Sequence, residues 1–358
     1  MPPFVDLWGW FNGHRVQAER ENNTELLRLV SIFKQAWNSF EPEPSRALIL
    51  CNEAISLSKQ LHLPCMALFY SYWRCELYLF YLRQIDVGLK ETVSLALDAQ
   101  KPEHAQCPIR GRVFRVLMDA HFATDAYGYA DEIEAVLDYM EREVPLDRDT
   151  WQLAALGRVR LAENREDFEK ALELIDVYRA RCETNRFRLL SAYGKLCWLN
   201  YKLKHYQLIG AYAEAGEECA RSVNRVRSLS NFLAWKAFAL QVAGQTAEAR
   251  RMAAESMRQA NSVKAFPHNR ETLSFYYEVR GDYDQALVLR RERLELASAT
   301  GAADEEAYAR LEVCKMMAKM NQPLGEELAL ARKATGKLRR PEKIREKLDR
   351  LERGEILD

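Results

Sequence analysis

The sequence lacks most features that assign a chain to a well-defined functional class. It has no apolar run approaching ~18 residues, so we expect no ordinary transmembrane helix. A Gly-rich phosphate loop, a Gly-x-Ser-x-Gly elbow and a His-Glu-x-x-His pair are all absent. Formal net charge is zero, with 52 Lys plus Arg against 52 Asp plus Glu, which argues against a general nucleic-acid coat. We therefore predict a protein that is not an enzyme and uses no cofactor.

Signals for secretion, disulfides and metals are also scarce. The N-terminal "MPPFVDLWGWFNGHR" has no basic leader and no small-residue cleavage site, so we expect no secretory signal and a cytoplasmic protein. The eight cysteines lie far apart without a Cys-x-x-Cys pair, a pattern typical of small buried hydrophobic residues in a reducing compartment. His104 and Cys107 have the spacing of half a metal site. Because no second matching pair is evident nearby, we predict no metal site.

What the chain does contain is the composition of a globular protein, with 48% hydrophobic and 29% charged residues. Its charge is unevenly distributed. Residues 124–149 hold nine acids against two arginines, and residues 332–350 hold nine Lys or Arg against three acids. We interpret both blocks as solvated helix faces, with a docking patch as the alternative.

An internal repeat is the strongest pattern. Three segments align: "NREDFEKALELI" around Ala171, "GQTAEARRMAAE" around Ala249 and "GDYDQALVLRRE" around Ala286. Extending this register gives steps of 41, 45, 38, 38, 40, 37 and 42 residues, with a small or apolar residue at each position. The equivalent positions are Ala47, Gly88, Ile133, Ala171, Ile209, Ala249, Ala286 and Leu328.

Prolines give an independent check on the repeat, because a proline inside a helix costs ~3 kcal/mol and belongs between elements. Long alternating runs of β-branched residues are absent, so we predict an all-α chain. The prolines that fall at predicted corners are Pro42, Pro44, Pro64, Pro102, Pro108, Pro145, Pro267, Pro323 and Pro341.

The chain resembles the tetratricopeptide repeat family. The corner "RGDYDQA" matches the Gly-aspartate-aromatic corner of that family, and residues 297–311 and 57–73 resemble its longer variant of ~40 residues. The resemblance covers residues 24–335. It implies about eight antiparallel helix pairs in a right-handed superhelical solenoid. We divide the chain accordingly into an N-terminal aromatic extension (1–23), the array (24–335) and a C-terminal basic amphipathic capping helix (336–358).

Three residues depart from the pattern of that family. Arg290 and Arg293 stand where members usually have aromatic and alanine residues. Gly88 is a poor residue for the interior of a helix.

The same corner contains Arg280, Gly281 and Asp282, the tripeptide by which extracellular ligands bind integrins. The repeat favours a structural role. We expect Gly281 to form the turn, the Asp282 carboxylate to cap the next helix and Gln285 to complete a capping box.

In such an array the first helix of each pair lines the concave face, which suits an extended peptide. Asparagine and glutamine side chains there can pair with a peptide backbone, and aromatic rings can hold its side chains. The alternative for each aromatic residue is a place in the core between helices. The predicted partner-binding residues are Ser191, Trp198, Tyr201, Asn231, Phe238, Gln241, His268, Glu271 and Phe275.

Two further aromatic segments stand out. Residues 69–83, "FYSYWRCELYLFYLR", carry more apolar residues than one helix face needs, so we expect burial nearly all round. We expect the aromatic side chains of the segment "FVDLWGWF" (4–11) to pack against another surface, since burial of each one away from water stabilises the protein by ~2 kcal/mol. The segment either caps the first helix pair or inserts into a partner. Its candidate contact residues are Phe4, Trp8, Trp10 and Phe11.

We therefore predict a non-catalytic scaffold or adaptor that binds a protein or peptide in its groove and regulates or assembles that partner. A nucleic-acid-associated solenoid that uses clustered arginines is the alternative. An unrecognised hydrolase or transferase is a third hypothesis, although His121 and His205 have no nucleophile at readable spacing.

Overall fold

The computed structural model describes residues 4–262, 268–300 and 302–357. These residues form α-helices and connecting turns without a β-strand, as the periodicity predicts, and 81% of the chain is helical. No described helix combines the length and the apolar character needed to cross a membrane. The helices are α1 (Leu7–Glu21), α2 (Thr24–Ser39), α3 (Pro44–Gln60), α4 (Pro64–Glu76), α5 (Ile85–Asp98), α6 (Arg110–Asp125), α7 (Ala130–Glu143), α8 (Arg148–Asn164), α9 (Phe168–Arg181), α10 (Arg186–Lys202), α11 (Tyr206–Ser222), α12 (Val226–Val242), α13 (Thr246–Ser262), α14 (His268–Val279), α15 (Tyr283–Thr300), α16 (Ala303–Lys319), α17 (Gly325–Thr335) and α18 (Glu342–Glu352).

The helices reproduce the predicted repeat position by position. Each of the eight equivalent residues is the fourth residue of an odd-numbered helix, from Ala47 in α3 to Leu328 in α17. All eight are buried. A small or apolar residue therefore recurs there because the first turn of each odd-numbered helix packs closely against its neighbours.

The described chain divides into two compact units, Met1–Gly157 and Arg158–Asp358, with the division inside α8. Within each unit, helices that follow one another in the sequence pack against one another. In the first unit the large buried side chains include Phe69, Tyr70 and Tyr72. In the second they include Trp235 and Phe238.

The corner at Arg280–Asp282 joins α14 to α15. Gly281 has φ +80°, a conformation that costs a glycine little. The carboxylate of Asp282 accepts from the backbone N–H of Gln285 at 3.4 Å, so Asp282 caps α15 as predicted. The reciprocal half of the capping box is not formed, because the N–H of Asp282 donates to the carbonyl of Tyr277 at 2.9 Å.

Prolines lie at helix starts and in turns. Pro44 and Pro64 occupy the first positions of α3 and α4, where the missing N–H leaves no hydrogen bond unmade. Pro341 is the N-cap of α18. Pro267 lies outside the described residues.

The apolar stretch 69–83 is mostly buried, as predicted. It begins in α4 and continues through a π-helical turn, Leu77–Tyr81, in which Leu77 and Leu79 are fully buried. Such a turn adds a residue to the helical repeat and changes which side chains face the neighbouring helix.

This turn explains the glycine in α5. A Cβ built on Gly88 would lie 2.6 Å from Cδ2 and 2.8 Å from Cγ of Leu79, closer than packed carbon atoms approach. The equivalent position is alanine in four other repeats, yet alanine does not fit here.

We expect Gly88→Ala to lower the free energy of unfolding by about 1 to 3 kcal/mol through overpacking, despite the better helix propensity of alanine. The matched control is Gly194→Ala in α10, where an added Cβ meets no atom within 4 Å. We expect that change to raise stability by about 0.5 to 1 kcal/mol. Urea denaturation followed by circular dichroism measures both. Equal effects of the two substitutions on the free energy of unfolding would show that the Leu79 side chain moves away from the added Cβ without destabilising the protein.

The prediction that the cysteines are unpaired is wrong for two of them. Cys65 and Cys107 form a disulfide with a Cα–Cα distance of 5.1 Å. The other six are free and buried. Cys65 and Cys107 are 42 residues apart, which is close to the repeat length, so stacking places them side by side.

The C-terminal helix α18 packs on the end of the second unit and also reaches its beginning. The Lys343 ammonium donates to the carbonyl of Asn164 at 2.9 Å, and Lys347 pairs with Glu166 at 2.6 Å. Its apolar face packs on α16 and α17, as the predicted capping role requires. The side chains on that face are Ile344, Leu348 and Leu351.

Candidate partner-binding surfaces

The predicted binding residues of the second unit lie on α10, α12 and α14, and several aromatic members meet there. The rings of Tyr201 and Phe275 stack with centroids 4.2 Å apart, and Tyr201 also contacts Phe238 at 5.5 Å. Phe238 is fully buried, and Phe275 is 6% exposed. These two phenylalanines occupy the core, which is the alternative to a direct partner contact.

The polar members have different environments. Asn231 accepts at Oδ1 from the Thr272 hydroxyl at 2.9 Å, so one of its two polar atoms is already used. Gln241 buries its Oε1, which has no hydrogen-bond partner among the described residues. Ser191 is exposed. The side chain of His268 lies outside the described residues.

Trp198 is the predicted residue best placed for contact with a partner. It is half-buried, and its ring meets that of Phe168 at 5.6 Å. The ammonium groups of Lys195 and Lys202 lie 5.5 and 5.4 Å from its ring centroid. Lys195 also pairs with Glu163 at 2.5 Å, so Lys202 is the cation without an ion pair among the described residues beside this partly exposed aromatic surface.

Next to this aromatic surface is a network of buried charges that we did not predict. The guanidinium of Arg290 pairs with Glu278 at 2.6 Å and with Glu312 at 3.2 Å. Lys319 also pairs with Glu278, and Lys315 pairs with Glu312 at 2.9 Å. We call these five residues, together with Glu271, Arg293 and Lys202, the charge network.

Electrostatics in the charge network favour an added anion. Burial alone would raise the pKa of the Glu312 carboxyl, but Lys315 and Arg290 outweigh that effect and lower its pKa. Burial lowers the pKa of Lys202, whose ammonium forms no ion pair with any described residue. Five cations face three carboxylates in the network, so two positive charges are in excess.

The network has little empty space. A cavity of about 10 Å³ lies between α14, α15 and α16, which is room for at most one water molecule. The cavity therefore has no room for a ligand larger than a water molecule. The cavity is lined by Glu271, Ser274, Phe275, Arg290, Arg293, Ala309 and Glu312.

The N-terminal aromatic segment lies against its own unit. Phe11 in α1 stacks on Phe69 of α4 at 4.9 Å and meets Phe33 of α2 at 5.1 Å. Trp8 and Trp10 also contact Phe69, at 6.4 and 6.0 Å. This corresponds to the capping role, one of the two we expected.

The same segment reaches two later helices of the first unit. The N–H of Val5 donates to the carbonyl of Leu146 at 3.0 Å, and the ring of Phe4 meets Trp151 of α8 at 5.4 Å. The guanidinium of Arg112 in α6 lies 5.6 Å from the ring centroid of Trp8. The segment therefore contacts α2, α4, α6 and α8, the even-numbered helices of this unit.

Beside this segment, α1 and α2 leave an open groove of about 380 Å³ with a mainly apolar floor. Trp8 and Trp37, which both contact Phe33, remain 45% and 50% exposed. The rim includes an ion pair between Arg15 and Glu19 at 3.1 Å. The lining residues are Phe11, Asn12, Arg15, Glu19, Leu27, Val30, Ser31, Phe33 and Lys34.

The nucleic-acid alternative uses the arginines near residues 181–188, 221–227 and 332–350, and many of these already have partners. Arg332 pairs with Asp349 at 2.6 Å, and Arg350 pairs with Glu355 at 2.7 Å. The Arg225 guanidinium lies 4.9 Å from the ring centroid of Phe187. Arg332 and Arg350 attract a phosphate backbone less strongly because carboxylates pair with them, whereas Arg225 keeps its full charge.

Neither a scan against protein-family models nor a search of the curated proteins found a match for this chain. The resemblance to tetratricopeptide repeats therefore stays a prediction that rests on the residues quoted above.

Proposed function

We propose that the protein is a non-catalytic, cytoplasmic scaffold that binds a protein or peptide segment on the face of its even-numbered helices. The proposal rests on the resemblance to tetratricopeptide repeats and on one structural observation. In the first unit, that face already holds a chain segment, the aromatic residues 4–11.

We use this contact, in which Trp8 and Phe11 belong to helix α1, as the guide to how such a face would hold a partner segment. Phe11 and Trp8 supply aromatic anchors on Phe69, while the backbone of Val5 pairs with a carbonyl between α7 and α8. Anchoring side chains and backbone hydrogen bonds are the two elements of peptide recognition in grooves.

In the second unit, Trp198 and Lys202 favour a segment that carries an apolar side chain next to a carboxylate. The apolar side chain would cover the indole, and the carboxylate would pair with the ammonium of Lys202, which has no ion-pair partner among the described residues. The excess of positive charge in the network supports the same occupant.

We expect Lys202→Met to weaken partner binding by about 10- to 100-fold, because a charge-assisted hydrogen bond contributes ~1.5 to 3 kcal/mol. The melting temperature should stay constant or rise, since methionine removes an ammonium that burial penalises. The matched control is Lys333→Met, an exposed lysine in α17, which should change neither quantity. Calorimetry and thermal denaturation measure binding and stability.

The partner itself is to be identified by affinity capture from the native host with wild-type and Lys202→Met chains, followed by mass spectrometry. A partner enriched on wild type and lost on Lys202→Met supports the proposal. Binding of nucleic acid that weakens steeply with salt would favour the alternative. Turnover of a substrate by the purified chain, with no reproducible partner, would overturn the proposal.

A further inference from the structure

Two His-x-x-Cys pairs occur in the first unit, at His62 and Cys65 and again at His104 and Cys107. Corresponding members are 42 residues apart, close to the repeat length. The first pair spans the turn between α3 and α4. The second lies in the connection between α5 and α6.

The fold brings the two pairs together. Cys65 is the second residue of α4, and Cys107 follows the short 3₁₀ turn Pro102–His104, which packs on α4. The Cα atoms of the two cysteines are 5.1 Å apart. Nδ1 of His104 lies 3.6 Å from Sγ of Cys107. Two sulfurs and one imidazole nitrogen therefore converge at one place.

The other nitrogen of His104 has a partner that fixes the ring. Nε2 lies 3.4 Å from a carboxylate oxygen of Asp98 and 3.7 Å from one of Glu103, while the residue is only 3% exposed. Histidines that bind a metal typically donate their second N–H to a carboxylate, which orients the ring and raises its basicity. Asp98 is in position for that role, with Nδ1 directed to the sulfurs.

We propose that, when Cys65 and Cys107 are reduced, the first unit binds one zinc ion through His62, Cys65, His104 and Cys107. Two thiolates and two imidazoles form a four-coordinate set that suits zinc. His62 is exposed, lies three residues before Cys65 and 42 residues before His104, and is the fourth ligand of the proposed site.

The disulfide and the zinc site exclude each other. A water-soluble phosphine reduces the disulfide to two thiols and leaves as the phosphine oxide, whose oxygen comes from water. Zinc then replaces the two thiol protons, which are released to solvent. In a reducing compartment the thiols prevail, so the metal-bound form is the one we expect there.

The test uses the full-length chain, reduced with such a phosphine without oxygen and titrated with zinc chloride against a chromophoric chelator. We expect one zinc per chain. Cys65→Ser and Cys107→Ser should each lower zinc affinity at least 100-fold, and Asp98→Asn should lower it about 10- to 100-fold. The matched control is Cys219→Ser, which removes a free cysteine of the second unit and should leave affinity unchanged.

Histidine variants test the fourth ligand. His62→Ala should lower zinc affinity at least tenfold, whereas His205→Ala, at another exposed histidine, should not change it. Unchanged affinity in His62→Ala would reject the four-ligand site.

Cobalt substitution tests sulfur coordination without a variant that risks misfolding. Thiolate-to-cobalt charge-transfer absorption is expected for the wild type. Its absence would overturn the proposal. Cobalt that binds without this absorption would favour a site on Asp98, Glu103 and Nε2 of His104, which lie close together without the sulfurs. Alkylation followed by mass spectrometry is a second check, because bound zinc should protect Cys65 and Cys107. Equal labelling with and without zinc would contradict the proposal.

Discussion

Replacing Arg290 with methionine is expected to lower the free energy of unfolding by about 3 to 5 kcal/mol. The side chain of Arg290 is buried and bridges Glu278 on α14 to Glu312 on α16. Methionine fills much of the same volume but removes the hydrogen bonds of Arg290 to both carboxylates, so that Glu278 is left with Lys319 and Glu312 with Lys315 in a poorly solvated site. Breaking a buried ion pair by removing one partner has this cost because the remaining charge stays desolvated.

The neighbouring residue provides a matched control. Arg291 is exposed, and Arg291→Met should change stability by no more than about 0.5 kcal/mol. Guanidinium chloride would screen the ion pairs, so urea denaturation is the measurement of choice. Similar losses in both variants would mean that the network contributes nothing specific.

The charge network should also make the stability of the protein depend on pH in the acidic range. The pKa of Glu312 is lowered in the folded chain, so its contribution to stability is present above the unfolded pKa of ~4.3 and is lost as pH falls toward the folded value. Arg290→Met removes one of the groups that lower this pKa. Between about pH 5 and pH 2, the variant should therefore lose less stability on acidification than the wild type.

The repeat positions could be predicted because they depend on local pattern. From α3 to α17, the fourth residue of each odd-numbered helix is small or apolar, as at Ala171 and Ala286, because it packs against neighbouring repeats. Gly88 interrupts the alanine pattern because a π-helical turn brings Leu79 against it. No local rule places that turn in the sequence.

The charge network could not be predicted, because it depends on the approach of α14, α15 and α16. One signal was available. Arg290 and Arg293 depart from the pattern of the repeat family, and both have carboxylate partners in the fold. A departure from a repeat pattern is informative where a charge replaces an apolar residue, since a buried charge needs partners.

The pairing of Cys65 with Cys107 illustrates a different kind of omission. Taken along the chain, the two residues are far apart, and each looks like an isolated cysteine. Compared at a spacing of 42 residues, Cys65 corresponds to Cys107 and His62 to His104, and the two cysteines are neighbours in the fold. In repeat arrays, side chains one repeat apart should therefore be compared before a ligand set is excluded.

Phe69→Ala is expected to lower the free energy of unfolding of the first unit by about 3 to 5 kcal/mol. Phe69 is fully buried, and its ring contacts Phe33 and Trp73 as well as the N-terminal rings. Loss of a large buried ring removes its transfer free energy and leaves a cavity. Phe187→Ala, at a phenylalanine that is 52% exposed, should cost less than about 1 kcal/mol.

The same substitution tests whether α1 is held by its aromatic anchors. Since Phe11 stacks on Phe69, a double-mutant cycle with Phe11→Ala should give a coupling of about 0.5 to 1.5 kcal/mol. Limited proteolysis should cut within residues 4–21 sooner in Phe69→Ala than in wild type, because local opening becomes easier. Zero coupling with unchanged proteolysis would show that Phe69 stabilises only the core and that α1 is held by other contacts. In that case the N-terminal segment would no longer serve as an example of how the even-numbered helices hold a peptide.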